Sequence, residues 1–237
     1  MARNTYGLDL GSYEIKVYDK KQDTIWKEKN VLAVQDKKEI IAIGEDAYQM
    51  YEKTPPDIEV AFPMRDGVIS RFNDMQNLLQ NILKKNRHFS RGAEYVIAVP
   101  TDVTEVQKKA FFDLVIHSNA KAREVNIVER SIADAVGLGI DVQNTTGVMI
   151  INFGGETTEL SVLTEGGIVF NRLLKLGGTT LDQEIVNLVR NSHDFLIGSR
   201  TAEILRQQFD VFNGDSETAF SVAGRDLITG LPMRKTI

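Results

Sequence analysis

The sequence carries the same glycine-turn hairpin at the start of each of two halves. GLDLGS, at 7–12, and NFGGETTE, at 152–159, each run from a strand into a glycine turn and on into a second strand. Helical segments follow both hairpins, so the halves that begin near Tyr6 and Gly147 share one plan. Two α/β units that face one another across a cleft form an arrangement suited to a ligand. We therefore predict an α/β fold with two duplicated halves around a cleft.

Hydrophobic periodicity assigns the other elements. Alternating or continuous apolar runs predict strands over TYGLDL, EIKVYD, DTIWKEKN, VLAVQ, EIIAIG, EYVIAVP and VNIV, and strand and loop over ETAFSVAGRDLITGLP. Helices are predicted over EDAYQMYEK, from Asn73, after Thr104, over SIADAVGLG, after Thr180 and over TAEILRQQF. Thr104 and Thr180 each stand three residues before a glutamine, the spacing of a capping box, and Ser131 is the expected N-cap of the fourth helix.

Composition limits the class of protein. The 237 residues include no cysteine, which excludes a disulfide framework and a cysteine-ligated metal. The net charge of −5 argues against nucleic-acid binding, which needs a basic face. No apolar run approaches the roughly 20 residues of a membrane span, and the N-terminal segment lacks the apolar stretch of a secretory signal. We expect a cytoplasmic protein.

Glycine turns of this kind suit phosphate groups. Glycine lets the backbone bend tightly and lets amide N–H groups approach an anion, and the threonine hydroxyls of the second turn add donors. Asp9, at the end of the strand before the first turn, can hold the water shell of a Mg²⁺ ion. Each turn alone is better explained as an ordinary hairpin. Their pairing at the start of two duplicated halves favours a clamp on a di- or triphosphate.

The chain resembles the MreB-type bacterial actins, the rod shape-determining proteins, over nearly its whole length. Besides the two hairpins, the segments that carry the resemblance are FPMRDGVISRF, VIAVPTDVTEVQKKA, VERSIADAVGLGI, GGIVFNRLLKLGGTTLDQEI, LIGSRTAEILR and VAGRDLITGLP. The resemblance implies the actin/Hsp70-like ATPase fold. It implies a first domain over 1–146 with a small subdomain inserted at about 31–73, and a partial second domain over 147–237 whose small subdomain begins near 178.

The same resemblance implies a function. Members of the family are cytoskeletal or scaffold proteins in cell-shape determination, placed at the inner face of the cell membrane. The implied partners are further copies of the chain or related actin homologues, the membrane surface and the cell-wall elongation machinery. The implied cofactors are ATP and Mg²⁺, with Asp9 on the metal through water. The residues implied to bind the nucleotide are Asp9, Gly11, Ser12, Tyr13, Asn152, Gly154, Gly155, Thr157, Thr158, Gly177 and Gly178.

Several positions depart from the family pattern at this site. Glu14 stands where the family has asparagine, and the second turn has Asn152 and Glu156 in place of an aspartate and a third glycine. Arg130 occupies the position of the acid that is expected to orient the attacking water. If the register slips by one residue, Glu129 takes that role instead. Members of the family also continue beyond the last residue of this sequence, with the stretch that completes the second domain.

The departures argue against tight ATP binding and rapid hydrolysis. A carboxylate about 5 Å from a phosphate charge is repelled by about 3 kcal/mol at an effective dielectric of about 20. Loss of the water-orienting acid removes a role on which hydrolysis depends. We therefore expect weak or absent hydrolysis. We also expect Arg130 to pair with Glu14, Glu156 or both, because a guanidinium suits carboxylates.

A basic loop predicts a membrane contact. Lys84, Lys85, Arg87 and Arg91 surround the aromatic side chain of Phe89, in the region where family members touch the membrane with an apolar loop. Each cation contributes about 1 kcal/mol of attraction to an anionic leaflet. The alternative is a solvated basic loop.

Two other functions stay open at this point. One is an active ATP-dependent ATPase that forms filaments, or a sugar kinase of the same fold. The other is a monomeric actin-fold adaptor that binds a partner peptide. Sedimentation with and without ATP distinguishes them, since a dynamic filament pellets only with nucleotide, a scaffold pellets without it and an adaptor does not pellet.

Overall fold

The computed structural model describes residues 4–85, 92–208 and 219–237. These residues form two compact units, one ending at Lys175 and the other beginning at Leu176. Arg87, Phe89 and Arg91 of the predicted membrane loop lie outside the described residues. The domain limits expected near residues 147 and 178 stay predictions.

Short strands make up most of the regular structure. In chain order the strands are β1 (Thr5–Leu10), β2 (Glu14–Asp19), β3 (Thr24–Lys29), β4 (Leu32–Gln35), β5 (Glu39–Ile43), β6 (Ile58–Ala61), β7 (Met64–Arg65), β8 (Val68–Ile69), β9 (Glu94–Val99), β10 (Glu124–Glu129), β11 (Val148–Phe153), β12 (Thr158–Thr164), β13 (Gly167–Leu174), β14 (Phe195–Leu196), β15 (Ser221–Asp226) and β16 (Pro232–Thr236). The helices are α1 (Glu45–Met50), α2 (Phe72–Lys85), α3 (Glu105–Ile116), α4 (Arg130–Gly137), α5 (Gly178–His193) and α6 (Ser199–Gln208).

A five-stranded sheet organises the first unit. Its strand order is β10-β9-β1-β2-β3, in which β1 runs antiparallel to β2 and parallel to β9. Strands β1 and β9 both alternate between buried and half-buried residues, and their buried side chains enter one large core. Helix α2 adds four fully buried side chains at helical spacing, namely Met75, Leu78, Leu79 and Ile82. The central strands therefore end at a common edge, which positions Asp9 and the first glycine turn.

Smaller sheets complete this unit. Strands β5-β4-β6 form an antiparallel sheet that packs with α1 around Val31, Ala33 and Ala47. Strands β11-β12-β13 form another, and Ile150 and Leu163 on its buried face contact Ala135 of α4. The opposite face of β11 is apolar and at least half exposed at Met149, Ile151 and Phe153.

The second unit has its own core. Helices α5 and α6 and the sheet β14-β15-β16 enclose the side chains of Val186, Phe195 and Ala202, among others. Arg206 donates two hydrogen bonds to the buried carboxylate of Asp182, at 2.6 and 3.3 Å, and so ties α6 to α5. This fork-to-carboxylate geometry is the strongest form of side-chain ion pair.

Two of the three predicted N-caps are wrong. The capping box at Thr104 is present, with Gln107 as its partner. Helix α4, however, begins at Arg130 after Glu129, because the Ser131 hydroxyl hydrogen-bonds the Thr101 hydroxyl at 2.8 Å instead of capping the helix. Helix α5 begins at Gly178, two residues before Thr180, and the Thr180 hydroxyl accepts a hydrogen bond from the Gly177 N–H at 3.4 Å.

The hairpin formed by β7 and β8 was not predicted. Its two-residue turn is Asp66-Gly67, with φ of 51° and 81°. Both values belong to a type I′ turn, for which Asp-Gly is a favoured pair. The Asp-Gly dipeptide was therefore a signal for this hairpin that the periodicity analysis missed. Within the described ranges, no helix combines the length and apolar character that a bilayer span requires.

Candidate phosphate-binding site

Three turns of the first unit meet at the edge of its sheets. Turn 1 (residues 11–13) joins β1 to β2, turn 2 (residues 154–157) joins β11 to β12, and turn 3 (residues 66–67) joins β7 to β8. The Gly67 N–H donates to the Ser12 hydroxyl at 3.2 Å, and the Asp66 N–H donates to Glu156 Oε2 at 2.7 Å. The structure thus joins the two predicted glycine turns through a third turn that the sequence analysis had not connected with them.

Turns 1 and 2 also touch directly. A Cβ added to Gly155 would lie 2.6 Å from the Cβ of Tyr13, which is closer than side-chain carbons approach in proteins. Only glycine therefore allows turn 2 to come this near to turn 1. A Cβ on Gly67 would lie 3.5 Å from the Thr157 hydroxyl, so turn 3 packs against the same residues. Ser12, Tyr13, Gly155 and Thr157, four of the residues implied to bind the nucleotide, therefore lie close together.

The two glycine turns have the same internal hydrogen bond. The Gly11 N–H donates to the Glu14 carbonyl at 3.1 Å, and the Gly154 N–H donates to the Thr157 carbonyl at 2.8 Å. Asn30, which is buried, supports turn 1 by donating its side-chain amide to the Gly11 carbonyl at 2.7 Å. No sequence pattern points to Asn30, since its position after β3 gives no local sign of this contact.

Asp9 lies between two cations. Lys16, its direct partner in the β1–β2 register, donates to Oδ2 at 2.9 Å. Nη2 of Arg130 lies 3.5 Å from Oδ1. Only 11% of the Arg130 side chain is exposed, compared with 35% of Asp9. The carboxylate predicted to hold the water shell of Mg²⁺ is therefore paired on both oxygens within the chain.

The predicted pairing of Arg130 with Glu14 or Glu156 is wrong. Glu14 lies 4.0 Å from Lys27 across the β2–β3 pair. Glu156 accepts from Arg65 at 3.3 Å and from the Asp66 N–H. Both carboxylates find partners on the elements beside their own turns, and Asp9 is the acid that faces the start of α4.

The structure also distinguishes Arg130 from its neighbour. Glu129 ends β10 and lines a groove of about 510 Å³ with residues of α4 and the β12–β13 turn, among them Ile132, Val136 and Gly166. None of the three turns that meet beside Asp9 lines this groove. Of the two adjacent residues, Arg130 therefore contacts the candidate site.

Asn152 has a partner that the sequence analysis missed. Its side-chain amide donates to Asp134 Oδ2 at 2.6 Å, from the end region of β11 to α4. Burial raises the pKa of Asp134, and the nearby acids Asp9 and Glu159 act in the same direction. The Asn152 hydrogen bond and Arg130 lower it. An aspartate at 152 would place a second carboxylate against Asp134, so the amide suits this environment.

A buried carboxylate connects the second hairpin to the main sheet. Glu159, 3% exposed, accepts from the Thr101 N–H at 2.9 Å and from the Asn171 side chain at 2.8 Å. Thr101 follows β9, and its hydroxyl bonds Ser131 of α4. Thr158, also buried, precedes Glu159 in β12. These bonds hold turn 2 in place relative to Asp9 and Arg130.

The donors of this site fit nucleotide phosphates better than they fit Mg²⁺. Hydroxyl groups of Ser12 and Thr157 and the cations Lys16 and Arg130 are the groups that bind phosphate oxygens. Asp9 fits a hydrated metal less well, because each of its oxygens already faces a cation. The parts of the chain that the structure describes hold no group of three or more metal-ligating side chains. Gly177 and Gly178 belong to the second unit, where they begin α5.

Known proteins share this architecture. The structure of MreB5 of Spiroplasma citri bound to AMPPNP matches with a TM-score of 0.90 and 31% identity over 100% of this chain and 72% of that one. The same protein bound to ADP matches with a TM-score of 0.91. The MamK double helical filament, at 20% identity and a TM-score of 0.77, shares the fold.

Sequence comparison gives the same relationship. The chain is 34% identical to the cell shape-determining protein MreB of Escherichia coli (strain K12) over 246 residues, which cover 100% of this chain and 70% of the relative. It is 31% identical to the cell shape-determining protein Mbl of Bacillus subtilis (strain 168), over 98% of this chain and 70% of the relative. The model of the MreB/Mbl protein family matches residues 3–237. With the duplicated turns, the sheet order and these matches in agreement, the chain belongs to the MreB/Mbl family of actin-fold proteins.

Proposed function

We propose that this protein is a cytoskeletal or scaffold component in cell-shape determination, which self-associates and hydrolyses ATP weakly or not at all. Family membership supports the first part, since the curated relatives are named cell shape-determining proteins. One observation carries the second part. Arg130, at the position where the family has a water-orienting acid, is buried and lies against Asp9.

Nucleotide binding is part of the proposal. MreB5, at 31% identity, has been solved with AMPPNP and with ADP. In this chain Ser12, Thr157, Lys16 and Arg130 are the groups that would bind the phosphates. A bound ATP would supply the phosphoanhydride bond that hydrolysis breaks. Asp9 would serve a hydrated Mg²⁺ only in competition with its two cationic partners, so we expect a weak dependence of nucleotide affinity on Mg²⁺.

The chemistry of Arg130 explains the expected loss of hydrolysis. A guanidinium has five donors and no acceptor, and it stays protonated at any physiological pH. It can neither accept a hydrogen bond from an attacking water nor take a proton from it. The Lys16 ammonium, on the other side of Asp9, has three donors and no acceptor. The site therefore holds phosphate-binding cations where a hydrolytic site needs a base.

A phosphate-release assay tests this directly. We expect a turnover roughly 10²-fold or more below that of a hydrolysing family member, the range lost with a catalytic acid or base. Arg130→Glu, Asn152→Asp and Asp134→Ala together should raise the residual rate, since the third change removes the carboxylate that the new acids would repel. Arg123→Glu, at an exposed position, is the matched control. Wild-type turnover equal to that of the active relative would overturn the proposal.

Sedimentation tests self-association. Pelleting that is independent of nucleotide supports a scaffold. Pelleting only with ATP supports the alternative of a dynamic, hydrolysing filament, and no pelleting under either condition supports a monomeric adaptor.

We also place the protein at the inner face of the cell membrane, where the cell-wall elongation machinery is the partner that this role requires. Lys84, which is exposed near the end of α2, and Lys85 begin the basic segment predicted to contact anionic lipid.

A further inference from the structure

We infer that Glu156 is an internal anion that joins turn 3 to turn 2, a role that a nucleotide phosphate would otherwise fill, so that these turns stay joined without nucleotide. The inference rests on the proposed nucleotide binding for its second half. Its consequence is that this chain should bind ADP and AMPPNP with similar affinity, because the anion at turn 3 is already supplied.

Both oxygens of Glu156 bond to the β7–β8 hairpin. Oε2 accepts from the Asp66 backbone N–H at 2.7 Å, and Oε1 lies 3.3 Å from Nη1 of Arg65. The Glu156 side chain is 14% exposed and that of Arg65 is 64% exposed. An ion pair with so exposed a partner contributes little. The short, charge-assisted bond to the backbone is therefore the stronger of the two bonds that Glu156 makes.

The conformation of turn 3 directs its amides at the other two turns. Asp66 and Gly67 both have positive φ, and their successive N–H groups bond to Glu156 and to the Ser12 hydroxyl respectively. Successive backbone N–H groups in a turn form a concavity that attracts anions. In this chain a carboxylate from turn 2 and a hydroxyl from turn 1 occupy it. The anion bound by turn 3 is therefore the Glu156 carboxylate of the protein itself.

Contacts beyond these hydrogen bonds keep the arrangement closed. Tyr13 packs on Gly155, the residue before Glu156, and Gly67 packs against Thr157, the residue after it. Asp66 also pairs with Lys175 through its side chain. Glu156 thus lies between packed turns, which hold its carboxylate within hydrogen-bonding distance of the Asp66 backbone N–H.

Hydrogen exchange of the nucleotide-free protein tests whether Glu156 joins turn 3 to turn 2. The Asp66 amide bonds to Glu156, so its protection reports that carboxylate. Glu156→Gly should speed exchange at Asp66 by roughly tenfold or more, the factor expected for loss of a hydrogen bond to a charged group. Glu156→Gln should have a smaller effect, since its amide oxygen still accepts. Glu165→Gln, an exposed acid on the β12–β13 turn, is the matched control and should change nothing. Unchanged exchange in Glu156→Gly overturns the inference.

Pyrophosphate tests, without any hydrolysis, whether Glu156 takes the role of a nucleotide phosphate. It should restore protection at Asp66 in Glu156→Gly and should leave the wild-type protein unchanged. Failure to restore protection at millimolar pyrophosphate overturns the assignment of Glu156 as a substitute for phosphate.

Calorimetry then separates this inference from the proposed function. In the wild type the dissociation constants of AMPPNP and ADP should be nearly equal. In Glu156→Gly, AMPPNP should bind at least tenfold more tightly than ADP. Equal ratios in both proteins overturn the inference and leave nucleotide binding standing. If ADP binds to neither protein, the proposed nucleotide binding fails, and the exchange and pyrophosphate results decide the role of Glu156.

Discussion

Arg130 and Asp9, 121 positions apart in the sequence, form an ion pair in which Nη2 lies 3.5 Å from Oδ1. The pair connects the first residue of α4 with β1, next to the place where turns 1, 2 and 3 meet. With Lys16 on the other oxygen, Asp9 is neutralised within the chain. This part of the candidate site is therefore stabilised by charge pairs within the chain.

Removing Arg130 should destabilise the first unit. We expect Arg130→Ala to lower the free energy of unfolding by about 1–3 kcal/mol, because it leaves Asp9 and Asp134 with less positive charge nearby. Chemical denaturation measures this change. Arg123→Ala, at an exposed position, is the control and should stay within about 0.5 kcal/mol of the wild type.

A double-mutant cycle identifies the partner of Arg130. Arg130→Ala and Asp9→Asn should be non-additive by more than about 0.5 kcal/mol, whereas Arg130→Ala and Glu156→Gln should be additive within about 0.5 kcal/mol. Coupling to Glu156 in place of Asp9 would contradict the pairing described above.

The contact of Gly155 with Tyr13 should tolerate no added carbon. Gly155→Ala should destabilise the protein by about 1–3 kcal/mol, the range for overpacking. Tyr13→Gly should relieve the effect in the double variant, whereas Tyr13→Ala should not, because the contact is with the Tyr13 Cβ. Thermal melting of the wild type, Gly155→Ala and the two double variants checks this order. Gly137→Ala, where an added Cβ meets nothing within 4 Å, is the control.

Asp134 should make stability depend on pH. Its pKa is raised in the folded protein, chiefly by burial, so the folded state prefers the protonated acid. Ionisation therefore lowers stability as the pH rises from the ordinary value of 3.8 through the raised pKa. Asp134→Asn removes this loss, and its stability relative to the wild type should be greater at pH 7 than at pH 3.5. Urea denaturation at both pH values gives the difference.

Asn152→Asp provides the opposite change at the same contact. It replaces the donor that lies 2.6 Å from Asp134 with a second acid, so the variant should be less stable than the wild type at pH 7 and closer to it at low pH. Adding Asp134→Asn should restore much of the loss at pH 7. A pH-independent loss would contradict the charge argument.

The basic segment should mediate lipid binding. Lys84→Ala, Lys85→Ala and Phe89→Ala together should abolish co-sedimentation with vesicles of anionic phospholipid, since each cation contributes about 1 kcal/mol. Lys20→Ala with Lys21→Ala, two exposed lysines of the β2–β3 turn, is the matched control and should bind as the wild type does. If the wild-type protein fails to bind such vesicles, the membrane contact is wrong.

Local patterns predicted most of the elements. The strands β1, β2 and β9, the helical spacing in α2 and the capping box at Thr104 depend on neighbours within a few residues, and all are confirmed. The continuous apolar run of β9 predicts a strand buried on both faces, but its residues alternate between buried and half-buried. The two glycine turns were identified for the same reason, since a tight turn requires its glycine locally. Family membership also followed from the sequence, because it depends on the order of several segments along the chain.

Tertiary structure decided which charges meet. The sequence predicts that Arg130 reaches Glu14 or Glu156, but the pairing of β2 with β3 places Glu14 near Lys27, and turn 3 binds Glu156. The contact of Asp66 with Glu156 spans 90 positions. A guanidinium or a carboxylate is attracted to any opposite charge within a few ångströms, so its chemistry does not select a partner. Register, turn conformation and burial set those distances, and they exist only once the sheets of the first unit have formed.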